Sequence, residues 1–391
     1  MIETGDDGAV WSVAFHSDGM HLLSGKSDGL RRWRVSDGQE VGDRIPTDVN
    51  AISVSRDGKW IACGTTRGAT IWDVETQEKA IEVQGTDDVD AVDISPESTR
   101  FATAAGRHGD YKASIWNIIT GGRLVGPLQH VSYIAGIKFS PNGEHIATVV
   151  DERSIRVFDS RNGDQLITIN ARTPWRGATT PLAWSNNGKQ FFAASINRKI
   201  KTFDVSSGSQ LAEFQVHGDD EVMSIALATN GKFLATFAGN FISFLDASTL
   251  TQIGPVIEDS ERIRSIALSP DCIHLATGGR EGIITIRNLN NILPDLYGPF
   301  HVSVHAFRIL SDKSPTVFPN LISPLGTYGI FILSMLICVL YSKWNRGSPR
   351  RLALALPYRW SIFVCDIVAA FCRPHIIPQI TLLWVGWSSR V

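Results

Sequence analysis

The sequence predicts an all-β fold: a seven-bladed β-propeller of four-stranded antiparallel blades, followed by an apolar C-terminal tail with one candidate transmembrane helix. Three observations carry this prediction. Aromatic anchors recur at Trp33, Trp72, Trp116, Phe158, Phe203 and Phe244, with Ile286 in the seventh place, at spacings of 39, 44, 42, 45, 41 and 42 residues. A period of roughly 40–45 residues with turn signals inside each unit is the mark of radial blade repetition. Composition then breaks near residue 300: 28 Lys+Arg face 37 Asp+Glu before it, and 9 face 2 after it. The expected division is a propeller over 1–300, a linker over 301–320, a candidate transmembrane helix over 321–341, and a basic, apolar tail over 342–391 that is poorly ordered or membrane-interfacial.

Each unit reads as four short strands. The first alternates apolar and polar residues, over Val10–Phe15, Val49–Val54, Val89–Ile94, Ile134–Phe139, Val222–Leu227 and Ile263–Leu268, and period-two alternation indicates a strand. A turn follows in all seven units. In five of them it holds Asp-Gly or Asn-Gly, as in Asp18-Gly19 and Asn142-Gly143, which supply the positive φ of a tight hairpin. The second strand is small and apolar, as in Ile61-Ala62-Cys63, so neighbouring blades can approach near the axis. The third carries the aromatic anchor, and Trp72 and Trp116 are expected to be buried against the neighbouring sheet. The fourth is variable, over Lys79–Val83, Leu124–Leu128, Leu166–Ile169, Leu211–Val216 and Ile253–Ile257.

Trp72-Asp73, Trp116-Asn117, Phe158-Asp159 and Phe203-Asp204, with the Ser-Pro-Asn-Gly and Ser-Pro-Asp turns, resemble the WD-repeat propeller family from about Ala9 to Leu289. Spacing and turn style look most like the long tandem arrays of fungal signalling proteins that carry an NTPase module upstream. The resemblance implies a partner-binding top face built from the residue just inside the first strand of each blade. Those residues are Trp11, Asn50, Asp90, Ala135, Thr180, Met223 and Arg264. Trp and Arg are enriched at binding hot spots, and Met suits adaptable surfaces; the bland alternative is that some of them plug the axial channel. The sequence departs from the family in its internal hydrogen-bond network. The first unit has Ser24, Asp28 and Trp33 but no matching His, and the fourth has His130, Thr148 and Asp151 but Phe158 in place of Trp, which removes the indole donor. Ring closure also departs from the family. The residues before the first strand are mostly polar, and Tyr297–Phe300 reads as the seventh unit's own fourth strand. The contact between first and last blades is therefore expected to be the weakest.

Ser314 to Ser342 carries no charge over 29 residues, and its core, Leu321–Tyr341, has the 21 residues needed to cross a bilayer as a helix. Lys343, Arg346, Arg350 and Arg351 follow, with Tyr341 and Trp344 as interfacial anchors. The alternative is a helix or strand packed on the propeller. A segment from Trp360 to Trp387 is interrupted by Asp366, Arg373, Pro374 and Pro378, and makes a poor span. The N-terminus is acidic, so it is no secretory signal, and no Asn-x-Ser/Thr sequon occurs. Both place the propeller in the cytoplasm, associated with a membrane through Leu321–Tyr341.

Enzyme chemistry has little support. No GxxxxGK[ST], GxGxxG or HExxH occurs. Gly25-Lys-Ser-Asp-Gly29 matches GxSxG by letter but falls at a hairpin between strands, where a nucleophile elbow needs a strand-to-helix turn. Five scattered cysteines form no CxxC pair, so no metal and no cofactor is expected. His16, His21, His145 and His274 sit at hairpin turns and are expected to be exposed. Asp87, Asp88, Asp90 and Asp93 read as a solvated loop rather than a calcium cluster, and Arg31, Arg32 and Arg34 as a solvated strand edge. The acidic propeller gives no reason to expect nucleic acid. The function expected is a non-enzymatic scaffold for proteins or peptides. Its rivals are a fragment of an NTPase/WD-repeat signalling protein, whose array acts as sensor, and a propeller hydrolase.

Overall fold

A computed structural model describes residues 1–4, 8–84, 88–105, 111–150, 154–172, 181–195, 197–218, 220 and 222–294. The segment Tyr297–Phe300, the candidate transmembrane helix and the rest of the tail lie outside the described residues. Among the described residues no helix is long and apolar enough to cross a membrane.

Seven antiparallel sheets form the described region. Blade 2 consists of Ala51–Val54, Trp60–Thr65, Gly68–Asp73 and Lys79–Gln84, and blade 3 of Val89–Ile94, Arg100–Ala105, Lys112–Asn117 and Arg123–Gln129. Blade 4 holds Ile134–Phe139, His145–Val150, Ser154–Asp159 and Gln165–Asn170; blade 5 holds Leu182–Trp184, Gln190–Ser195, Lys199–Asp204 and Gln210–Gln215. Blade 6 ends in a short outer strand, Ile257–Glu258, after Val222–Leu227, Phe233–Ala238 and Phe241–Asp246. The first strands of consecutive blades are neighbours all the way round, and that of blade 7 adjoins that of blade 1, so the ring is closed.

Two blades depart from the expected pattern. Blade 1 has three strands, Ser12–Phe15, His21–Lys26 and Gly29–Arg34, and its outer edge is completed only by isolated bridges of Trp33 to Glu40 and Leu30 to Ile45. Gly38 and Gly42, at φ 72° and 76°, turn the chain out of extended conformation there. Blade 7 contains Ile263–Leu268, His274–Gly279 and Ile283–Asn288, and its fourth strand is Ile2–Glu3 from the opposite end of the chain. The expectation that neither terminus clasps the ring is therefore corrected. Ile2 pairs with Ile284 and is buried with Val10, Val13, Trp33 and Ala276. Thr4 Oγ1 donates to the Gly282 carbonyl at 2.8 Å, and Arg31 donates to the Thr4 carbonyl at 2.7 Å. Arg31 thus ties the clasp to blade 1 rather than standing as a solvated edge; Arg34 is exposed as expected.

The core lies between blades. Val10 and Val49 give their N–H groups not to their own hairpins but to Gly279 and Lys26 of the preceding blade, at 3.0 and 2.9 Å, so the first strands of blades 1 and 2 start two residues later than expected. Small residues do admit the neighbouring blade: a Cβ on Gly25 or Gly278 would lie 2.3 or 2.5 Å from a Val49 or Val10 methyl. Near the axis, polar side chains stitch the first strands of blades 7, 1, 2 and 3 to the next. Ser265 Oγ accepts from Val13 N–H, Ser12 Oγ from Ile52 N–H, and Ser53 Oγ from Ile94 N–H, at 3.0–3.1 Å. Asp93 continues the series, accepting from Phe139 N–H at 2.8 Å and from Lys138 at 2.6 Å. It is a buried strut between blades, not part of a solvated loop; Asp88 and Asp90 are half-buried, and Asp87 lies outside the described residues.

The anchors behave unequally. Trp33, Phe158, Phe203 and Phe244 are buried, whereas Trp72, Trp116 and Ile286 are half-buried, which corrects the full burial expected of the two tryptophans. Each indole has found a hydroxyl. Trp33 donates to Ser24 at 2.8 Å, Trp72 to Thr70 at 2.9 Å and Trp116 to Thr103 at 2.9 Å. All three hydroxyls are buried, so each indole N–H is satisfied inside the blade whatever the exposure of its ring.

Candidate interaction site at the channel mouth

Four of the seven candidate positions share a structural cause. In blades 3, 4, 6 and 7 the pairing register of the first strand slips at one residue, and that residue is Asp90, Ala135, Met223 or Arg264. A bulge leaves one residue unpaired and re-aims its side chain, and bulges concentrate at rims. Trp11 and Asn50 hold the matching places before the first strands of blades 1 and 2, their N–H groups bound to Gly25 and Gly64 carbonyls at 2.9 and 2.8 Å. Thr180 and the side chain of Met223 lie outside the described residues. Ala135 is 1 % exposed within the core between blades 4 and 5, so it presents nothing to a partner. Asn50 lines the axial cavity and reaches the Val89 carbonyl at 3.4 Å.

Trp11 and Arg264 are brought together. The guanidinium carbon of Arg264 lies 4.9 Å from the Trp11 ring centroid, a cation–π contact across the seam between blades 7 and 1. Burial pushes the Arg264 pKa down, and the charges of Arg280 and Arg262 push the same way. Three arginines are therefore close enough to feel one another, and the latter two are exposed. A groove of about 560 Å³ adjoins them between blades 6 and 7, lined by Asp220, Asn240, Ser260, Glu261, Arg262 and Glu281. Arg262 pairs with Asp220. Burial pushes the Glu261 carboxyl up, although it accepts N–H bonds from Glu281 and, at 2.9 Å, from Ile283. The axial cavity itself, about 40 Å³, is lined by Ser12, Asn50, Ala91, Gly136 and others, and holds no more than a few waters.

Sequence reasoning missed two polar clusters. Asp259 accepts from Thr277 at 2.7 Å and from Arg287 at 3.1 Å, in the place where blade 4 holds the His130–Thr148 bond of 2.9 Å. His16, Asp18 and His21 converge at the first hairpin, and all four turn histidines expected to be exposed are half-buried. Ser27, the letter-match to a nucleophile, lies in the turn between His21–Lys26 and Gly29–Arg34, with no helix following.

A ring of seven antiparallel blades closed by the opposite terminus defines the chain as a β-propeller. The family profile described as "WD domain, G-beta repeat" matches residues 2–30, 43–73 and 122–159. Each match opens with the outer-strand segment of one blade and runs into the inner strands of the next, so Ile2–Glu3 falls in phase as the last strand of blade 7. The chain is 29 % identical over 192 residues to the nuclear distribution protein nudF of Aspergillus niger, covering 43 % of each chain. It is 25 % identical over 190 residues to the serine-threonine kinase receptor-associated protein of Dictyostelium discoideum, covering 47 % of this chain and 62 % of that one. It is 26 % identical over 181 residues to a guanine nucleotide-binding protein subunit beta of Zea mays, covering 42 % and 47 %. The chain spans about half the length of the curated relatives it matches. Its repeats match the WD-repeat family model over these three segments.

Proposed function

We propose that the propeller is a non-enzymatic scaffold that binds a protein or peptide at the rim carrying Trp11 and Arg264. The observation that supports this reading is the stacked Trp11–Arg264 pair at the blade 7–blade 1 seam. An aromatic face and a guanidinium held together, the latter on bulged backbone, resemble the anchors that dominate interfaces. Arg262 is paired with Asp220, and Glu261 and Glu281 line the adjoining groove, so the rim offers a partner charges of both signs. The relatives include a kinase receptor-associated protein and a G-protein subunit, whose names imply assembly with other proteins. Proximity labelling of wild type against Trp11→Ala and Arg264→Ala tests the site. The expected outcome is that a common set of neighbours is lost from both variants at unchanged melting temperature. Retention of the whole set would place binding elsewhere.

The tail is read as the tether. Its 29 uncharged residues from Ser314 to Ser342 are the motive, together with the basic residues that follow. Full-length chain is expected to resist alkaline extraction from membranes, and residues 1–300 to be released. Release of both would assign the apolar run another role.

A further inference from the structure

The seven hairpins that join first and second strands form an internal comparison. At the residue just after the first strand, five have serine: Ser55, Ser95, Ser140, Ser185 and Ser269; blade 6 has Ala228 and blade 1 has His16. In those five the serine Oγ accepts from the N–H five residues on, at 2.8–3.1 Å, and so closes the turn. Blade 1 gives up that bond and builds another arrangement. Asp18 Oδ1 takes over the turn, accepting from Met20 and His21 N–H at 2.7 and 3.1 Å. Its second oxygen, Oδ2, is left to the imidazoles, 2.7 Å from His21 Nδ1 and 3.0 Å from His16 Nδ1.

The far side of His16 orients it. Nε2 lies 2.9 Å from the Gly58 carbonyl oxygen on blade 2. A carbonyl only accepts, so Nε2–H donates to it, while Nδ1 faces Asp18 N–H at 3.3 Å and Asp18 Oδ2 at 3.0 Å. A carboxylate oxygen held between two imidazole nitrogens is bridged to them by protons or by a metal ion. A carbonyl behind the imidazole that holds its tautomer and orientation is the usual support of a metal-bound histidine. The blade 2 turn is shaped for this approach: Gly58 has φ 76°, and a Cβ there would sit 2.3 Å from Ser17 Oγ and 3.2 Å from His16 Nε2.

We propose that His16 Nδ1, Asp18 Oδ2 and His21 Nδ1 form a binding site for a divalent transition-metal ion of the zinc class. The three donor atoms lie within 4.8 Å of one another. Two imidazoles and one carboxylate suit zinc, cobalt or nickel rather than magnesium or calcium. Tetrahedral bonds of about 2.0–2.2 Å place ligand atoms about 3.3 Å or more apart, so the 2.7 and 3.0 Å contacts of Asp18 Oδ2 with His21 and His16 open to admit the ion. The side chains keep 14 % to 25 % exposure, which leaves a fourth position for water or a partner's side chain. The site lies at the hairpin end of the blades, so metal would join blade 1 to blade 2 through His16 and Gly58, away from the Trp11–Arg264 rim.

The test is titration of metal-stripped full-length chain with Co²⁺, read by visible absorption, and with Zn²⁺, read by calorimetry. One ion per chain is expected, with cobalt bands of nitrogen–oxygen ligation and no thiolate charge-transfer band. His16→Ser restores the turn used by five other blades, so it folds with the wild-type melting temperature and loses at least about a hundredfold in affinity; Asp18→Asn loses a comparable factor. Equal binding by wild type and His16→Ser would overturn the site. So would a wild type that takes up neither ion, which would leave a proton as the cation shared by His16 and Asp18.

Discussion

Trp33 and Ser24 form a donor–acceptor pair 2.8 Å apart with both side chains out of water. Trp33→Phe strands a buried hydroxyl, and Ser24→Ala strands a buried indole N–H; each should cost about 1–3 kcal/mol. The double variant orphans neither group and should cost less than the two single losses together. Reversible urea melts of the four proteins measure this, and strict additivity would deny the coupling. The identity of Trp33 was legible from its period, but its depth was not. Trp72 and Trp116 occupy the same repeat position and are half-buried, although their N–H groups bond to the buried hydroxyls of Thr70 and Thr103. Residue type sets what a side chain can bond to, while the neighbouring blade sets how far it is covered. His16 was readable as a departure from the serine found in five of the six other aligned turns. That it meets Gly58 needed the fold, since the contact crosses 42 residues.

At the scale of the element, Val89–Ile94, Ile134–Phe139, Val222–Leu227 and Ile263–Leu268 fall where alternation placed them. In Val89–Ile94 and Ile134–Phe139 five of six residues are buried, so the two-residue period there is one of residue type rather than of exposure. Outer strands carry less signal: that of blade 6 shortens to Ile257–Glu258 because Gly254 at φ 64° and Pro255 interrupt the run. Blade 7 is braced by Asp259, bonded to Thr277 and Arg287. Burial raises the Asp259 pKa, but the hydrogen bonds from Arg287 and Thr277 and the arginine charge outweigh it, so the carboxyl lies below its ordinary value. The folded-state pKa is therefore below the unfolded one. The stability it contributes is present above an unfolded pKa of about 4 and is lost as pH falls through the lower folded value. Asp259→Asn should lower the melting point at pH 7, and the gap from wild type should narrow as pH falls below about 4 and through the lower folded value. A gap unchanged across that range would show that the carboxylate charge contributes nothing.

Over the whole molecule, the ring depends on its seam. The clasp strand is two residues long and has no detectable period, which is why the sequence pointed instead to a separate fourth strand for blade 7. The repeat boundary and the blade boundary differ by one strand, and that offset hands Ile2–Glu3 to the last blade. Val10 N–H to the Gly279 carbonyl and Val13 N–H to Ser265, both at 3.0 Å, join the same two blades nearer the axis. The seam also holds Trp11 and Arg264, so closure and the proposed binding rim depend on the same packing. Hydrogen exchange resolved along the chain, in wild type and Ile2→Asp, tests the closed ring most directly. Exposing the Ile2 side chain forfeits about 1.5–3 kcal/mol of burial, enough for roughly a tenfold or greater rise in local opening. In wild type the amides of Ile283–Asn288 should be protected like the third strands of blades 3 to 5. In Ile2→Asp they should exchange at least about ten times faster while those blades stay unchanged. Amides of Ile283–Asn288 that already exchange as fast in wild type as in the variant would contradict a ring closed by the N-terminal strand.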